Sequence, residues 1–161
     1  MKQSKNLTHF NTDGEAHLVD VSSKDTTART AIAIGSISMA KVSLDIIKTG
    51  VTKKGDVLSI SRIAGIMGAK KTSELVPLCH PLPLTNVSVD LTVNEKLSCI
   101  DISVKVKTLA QTGVEMEALT GVAVTALTIY DMCKSVDRKM YIKSIKLTHK
   151  SGGKSGTFNR V

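Results

Sequence analysis

Three stretches of this sequence put reactive side chains close together. Val76-Pro77-Leu78-Cys79-His80-Pro81-Leu82-Pro83 sets a thiol beside an imidazole and surrounds them with all three prolines of the chain. Proline holds φ near about −65° and removes a backbone donor, so the loop is stiff, as presenting Cys79 and His80 to a ligand would require. A rigid connector with an incidental histidine is the bland alternative. Zinc is disfavoured because no second ligand pair stands at finger-like spacing. In the second stretch, Glu115 and Glu117 flank Met116 at the head of an apolar segment that ends in Asp131 and Lys134. The acidic pair suits the positive end of a helix dipole. Asp131 and Lys134, three apart, share a helix face. They are either an ordinary surface ion pair or an acid/base pair at the rim of a cleft, where a lysine crowded by cations would have a lowered pKa. The third stretch, Lys150-Ser151-Gly152-Gly153-Lys154-Ser155-Gly156, is not a Walker loop, because Thr148 stands where the first glycine belongs. Its glycines and lysines could still offer N–H groups and ammoniums to a phosphate, or form a flexible solvated tail.

The elements that must hold these groups follow from periodicity. Thr30–Met39 reads as a strand whose apolar phase shifts from Ile32/Ile34 to Ile37/Met39 across Gly35-Ser36, which suits a bulge. Leu44–Lys48 is a short helical turn ended by Gly50. Asp56 caps a helix with Val57, Ile60, Ile63, Ala64 and Met67 on one face, and its Gly65 and Gly68 imply close packing against another backbone. Thr85–Val93 and Cys99–Lys107 alternate strictly and are joined by Asn94-Glu95-Lys96 as a hairpin. Glu115–Cys133 is the strongest helix, with Met116, Leu119, Val122, Ala123, Ala126, Leu127, Tyr130 and Cys133 at helical spacing. Lys139–His149 is a last strand with Tyr141, Ile145 and Leu147 on one face. The order strand, helices, hairpin, helix, strand is α+β, the ferredoxin-like split β-α-β arrangement, with an antiparallel sheet covered by helices. One domain spans residues 1–161, with residues 1–25 a mobile N-terminal arm bearing a Thr12-Asp13-Gly14 turn and residues 150–161 a mobile Lys/Gly/Ser tail.

Charge narrows the function. The chain of 161 residues has 22 Lys+Arg against 14 Asp+Glu, a formal charge of +8. Residues 134–161 hold eight cations against Asp137 alone, so the excess sits at one end and points to an anionic partner. The longest runs free of Asp, Glu, Lys and Arg, Val76–Val89 and Ala118–Tyr130, are too short for a membrane span. No signal segment opens the chain, and the three cysteines form no C-x-x-C pair, so a reduced cytoplasmic protein is the expectation. The same element order occurs in RNA-recognition domains, which stack bases on sheet aromatics. The hairpin here has no Phe, Tyr or Trp, which argues against nucleic acid.

VDVSSK (Val19–Lys24), KGDV (Lys54–Val57), RIAGIMGAKKTSELVPLCHPLPLT (Arg62–Thr85), TGVEMEALT (Thr112–Thr120), ALTIYDMCKSVD (Ala126–Asp137) and KSGGKSG (Lys150–Gly156) together resemble the molybdenum cofactor biosynthesis protein C (MoaC) family, the cyclic pyranopterin monophosphate synthases. The similarity runs from about Leu7 to Gly156. Lys70-Lys71 stands where the family commonly has Lys-Arg, and Thr157 where it commonly has an acid.

The resemblance implies a phosphorus–oxygen lyase that converts 3′,8-cyclo-7,8-dihydroguanosine 5′-triphosphate to cyclic pyranopterin monophosphate and pyrophosphate. It implies a homohexamer, a trimer of dimers, with active sites at subunit interfaces and no nucleic-acid or membrane partner. No cofactor is required and no metal centre is expected, with Mg²⁺ left open as a companion of the triphosphate. By motif, Lys54 and Lys134 would be the acid/base lysines and Asp131 their carboxylate partner, with His80 and Lys70 further catalytic groups. Leu78, Cys79, His80, Met116 and Glu117 would contact substrate. Arg29, Lys150 and Lys154 would hold the triphosphate, with Lys24 a weaker member. Proton transfers and expulsion of a polyanionic leaving group are work that lysines, one carboxylate and one histidine can do.

Overall fold

The computed structural model describes residues 8–50 and 56–161. The chain runs β1 (Thr27–Ser38), α1 (Lys41–Thr49), α2 (Val57–Lys70), α3 (Thr72–Leu75), β2 (Leu84–Asn94), β3 (Cys99–Ala110), α4 (Glu115–Cys133), β4 (Tyr141–Ser151) and β5 (Phe158–Asn159). The sheet order is β2-β3-β1-β4-β5 and every pairing is antiparallel. β1 and β2 are therefore parallel with β3 between them, and β3 and β4 are parallel with β1 between them. Parallel strands need crossover connections, which α1–α3 and α4 supply, so the expected split β-α-β arrangement is the one observed. α2 and α4 cover one face of the sheet. The stretch 150–161, expected as a tail, begins inside β4 and returns as β5, with Lys150 opposite Phe158.

Local signals placed most elements. The Asp56 carboxylate accepts from the Leu58 and Ser59 amides at 3.0 and 3.2 Å, capping α2 as its type suggests. Gly50, at φ 67°, closes α1 in the left-handed region. Thr12-Asp13-Gly14 does turn, with Gly14 at φ 80°.

Faces were less legible. β1 has no bulge against β3; it buries Ala31, Ala33, Gly35 and Ile37 in strict alternation. The irregularities lie across β4, where Ile32-Ala33 spans His149 to Leu147 and Ile34-Gly35-Ser36 spans Lys146 back to Lys143, each with one residue more on the β4 side, the second near Ser144 at φ 49°. The extra residue before Lys146 breaks the alternation of β4, so Tyr141 is exposed while Leu147 packs on the core and the part-exposed Ile145 lies beside Gly35. α2 buries Val57, Ser61, Gly65, Gly68 and Ala69, whereas Ile60, Ile63 and Met67 of the expected face are exposed. In α4 likewise Met116 and Leu127 are exposed, and Ala118, Gly121, Val122, Thr125, Ala126 and Ile129 are buried.

The cause is the α2–α4 crossing. A Cβ at Gly65 would collide with Thr125 Oγ1 and come within 3.2 Å of the Gly121 carbonyl; one at Gly121 would meet Val104 at 2.9 Å. Two backbones this close admit only small side chains, so the small-residue stripe faces inward and the larger apolar residues are displaced outward. The implied contact at Gly65 and Gly68 is thus present, with α4 as the partner. Arg62 Nε donates to the Val89 carbonyl at 3.0 Å and pins α2 to the edge strand β2.

Candidate active site

The Pro-rich loop comes off α3 with its turns fixed from both ends. The Val76 amide donates to the Thr72 carbonyl at 2.9 Å and the Cys79 amide to the Val76 carbonyl at 3.0 Å. At the far end the Thr108 hydroxyl of β3 donates to the Pro83 carbonyl at 2.7 Å. Leu78, Cys79 and His80 are thereby held over the first turn of α4, where Met116 and Glu117 stand. These five residues line one chamber of about 340 Å³.

A second chamber of about 600 Å³ adjoins it, lined by Lys24, Asp25, Arg29, Glu115, Lys150 and Lys154 among others. Lys24, Thr112, Gly113 and Glu115 border both, so the two form one continuous cleft. Its basic half is built by tertiary contacts. Arg29 of β1 donates through Nε to the Ala110 carbonyl at 3.3 Å and through an Nη to the Gln111 carbonyl at 3.0 Å. Opposite it, the chain leaving β4 turns through Gly152 (φ 100°) and Gly153 (φ 71°). A Cβ at Gly152 would strike the Ala28 carbonyl and one at Gly153 the Arg29 guanidinium, so only glycine brings Lys154 back over Arg29. Lys150 Nζ lies 3.6 Å from a Glu115 carboxylate oxygen and donates to Ser155 Oγ at 2.6 Å. Four cations face two carboxylates here, an environment suited to a polyanion.

The other chamber is tuned differently. Glu117 is 4% exposed, and burial pushes its carboxyl up to about 7, with the Glu115 charge adding to the rise. Burial, then the Glu117 charge, raises the Cys79 thiol above its ordinary range. Near neutral pH this chamber therefore offers a thiol and a carboxyl that is protonated about half the time, both able to donate a hydrogen bond.

All of the expected substrate-contact residues converge on this cleft: Leu78, Cys79, His80, Met116 and Glu117 in one chamber, Arg29, Lys150 and Lys154 in the other. Of the remaining expected catalytic groups, those among the described residues do not join them within the chain. Asp131 and Lys134 form a 2.6 Å ion pair at the opposite end of α4. That helix has 19 residues, so the two ends are roughly 28 Å apart at about 1.5 Å per residue. Both partners are exposed, and the Asp131 carboxylate raises the Lys134 pKa, contrary to the lowering expected from cationic crowding. Lys70 opens onto a different hollow, with Leu82 and Asn86. Lys54 lies outside the described residues. Gln111 and Asp25 line the cleft without having carried any signal in the sequence; only their position after β3 or before β1 places them there, whereas Thr112 and Gly113 open the Thr112–Thr120 motif. Among the described residues no helix is long and apolar enough to cross a membrane.

The family model described as "MoaC family" matches residues 18–153. Relatives named cyclic pyranopterin monophosphate synthase include one from Dinoroseobacter shibae, 57% identical over 94% of this chain and 96% of its own length. Another, from Thermomicrobium roseum, is 54% identical over 96% and 93%. A third, from a Thermoanaerobacter strain, is 56% identical over 96% and 98%.

Proposed function

The chain belongs to the MoaC family, and from that premise we propose that it is a cyclic pyranopterin monophosphate synthase, a lyase of molybdenum cofactor biosynthesis. In this reading it converts 3′,8-cyclo-7,8-dihydroguanosine 5′-triphosphate to cyclic pyranopterin monophosphate, expelling pyrophosphate. The observation that carries the reading is the two-chamber cleft. A nucleotide-derived triphosphate is a ring system joined to a polyanion, and the cleft joins a chamber of neutral donors to a chamber of cations.

Arg29, Lys24, Lys150 and Lys154 then take the triphosphate. Pyrophosphate leaves more easily as its growing charge is neutralised, and cations held in place by Gly152, Gly153 and the Ala110 and Gln111 carbonyls need little rearrangement to do so. Cys79, His80 and Glu117 hold the guanine-derived ring, and Leu78 and Met116 pack against it. Lys134, with its proton retained by Asp131, acts as acid rather than base, which leaves the base role to Lys54. Opening the five-membered ring and closing the pyrazine ring exchange C–N bonds, and cyclising the phosphate exchanges a P–O bond, with protons moved but no net electron transfer, so we assign no redox cofactor; Mg²⁺ on the triphosphate is an addition the reading accommodates. A cytoplasmic location follows from the biosynthetic role.

Because Asp131 and Lys134 stand a helix length from the cleft, the reading requires a second subunit to bring its own pair to this one's cleft, as in a homohexamer built as a trimer of dimers. A mixing experiment tests it. Arg29→Ala and Lys134→Ala chains, each nearly inactive alone, are expected to recover a measurable fraction of turnover of the cyclic dihydro-GTP when unfolded and refolded together. No recovery in co-refolded oligomers would refute the shared site. Failure of the unaltered chain to release pyrophosphate from that substrate would refute the function.

A further inference from the structure

The ring-binding chamber has one wall that does not come from the sheet or its helices. Thr8, His9, Val19 and Val21 line it opposite Cys79 and Glu117. They belong to a segment that builds itself. The His17 amide donates to the His9 carbonyl and the Asn11 amide to the Glu15 carbonyl, both at 3.0 Å, and Phe10 bridges Ala16. Asn11 Oδ1 accepts from the Asp13 and Glu15 amides at 3.0 and 2.8 Å, and Gly14 supplies the left-handed turn. The result is a small hairpin over residues 9–17 whose hydrogen bonds are its own, with Val19 and Val21 following it toward β1.

Among the described residues its hydrogen bonding to the body is slight by comparison. Gln111 Nε2 donates to the Ser22 carbonyl at 3.4 Å, a long bond at the base of the segment. A locally rigid hairpin on a loose base is the construction of a movable wall. Its chemistry complements the fixed side. Val19 and Val21 bring apolar surface to the chamber that Leu78 and Met116 line, and His9 adds an imidazole to the chamber that holds Cys79 and Glu117.

We infer that residues 8–21 are the closing wall of the ring-binding chamber and that His9 is a substrate-contact residue, serving the heterocycle and not the triphosphate; this rests on the synthase reading. The segment thus discriminates between ligands that carry a ring system and those that carry phosphates alone.

GTP and inorganic tripolyphosphate separate the two. On the full-length chain, GTP is expected to slow backbone hydrogen exchange in residues 9–21, and tripolyphosphate to leave it unchanged. His9→Ala is expected to weaken GTP binding about tenfold, the loss of one good hydrogen bond, with tripolyphosphate affinity unaltered. In turnover the same variant raises KM about tenfold with kcat much less affected, and His9→Gln, which keeps a donor and an acceptor, recovers part of the loss. Equal protection by the two ligands, or His9→Ala chains with unaltered GTP affinity and KM, would overturn the inference while leaving the synthase reading intact. If the unaltered chain bound neither ligand and turned nothing over, the synthase reading would fall, and this inference with it.

Discussion

The two ends of α4 carry the same kinds of side chain in opposite circumstances. At the first turn Glu117 is buried beside Cys79, and its acidity is set by desolvation. At the last turn Asp131 is exposed and raises the pKa of Lys134 beside it. One carboxyl is thus a neutral donor about half the time near pH 7, while the other helps a lysine keep its proton. Residue type alone does not distinguish them; the depth of water around each does. In the proposed reading the comparison also separates binding from proton transfer along one rigid helix, which is why that reading draws a second subunit to the site.

The largest effect that would break this contrast is on catalysis. Lys134→Ala is expected to lower turnover by about 10²–10⁴-fold with an unchanged melting curve, since an exposed side chain is removed; circular dichroism and a pyrophosphate-release assay check both halves. Next comes the crossing that fixes where both ends of α4 lie. Gly65→Ala drives a methyl into Thr125 and is expected to cost about 2 kcal/mol of stability by overpacking, read by denaturant unfolding. Such a loss would weaken binding and turnover together, unlike either end-specific change.

Glu117→Gln sharpens the buried half through pH. Glu117 titrates near 4.5 in an unfolded chain and near 7 here, so below 4.5 both states hold the proton and ionisation does not alter stability. As pH rises through that window the unfolded chain releases a proton that the folded chain keeps, and native stability falls until about pH 7. The glutamine variant lacks this loss. Its advantage over the unaltered protein is expected to grow from pH 4.5 to 7.5 and reach about 2 kcal/mol after discounting for residual solvent, measured by melting at each pH. A constant difference would mean Glu117 is not desolvated. The smallest effect belongs to the exposed half: Asp131→Asn is expected to leave the melting temperature unmoved at physiological salt, because exposed pairs contribute little to stability, while turnover falls.

Much of the site was legible because its residues lie in contiguous motifs. The Cys79-His80 loop, the Glu115–Glu117 turn and the Lys150–Gly156 segment each sit within a few residues in sequence, and the structure brings parts of all three to one cleft. Gln111 was not legible: it lines the cleft only because the β3–α4 turn borders the cationic chamber. By sequence His9 lies in a polar arm; only the tertiary structure sets it in the wall of the chamber.

Local physics therefore determined the elements: the alternation of β2 and β3, the Asp56 cap, the Gly50 stop and the α+β order could all be read from neighbours in the chain. Tertiary structure alone decided which faces are buried. α2 turns Ser61, Gly65 and Gly68 inward and leaves Ile60, Ile63 and Met67 outside because α4 crosses within backbone contact. It also decided the acidity of Glu117, which depends on the Pro-rich loop lying over it. Hydrogen-bonding pattern and period are properties of a segment, whereas burial belongs to whatever is packed above it.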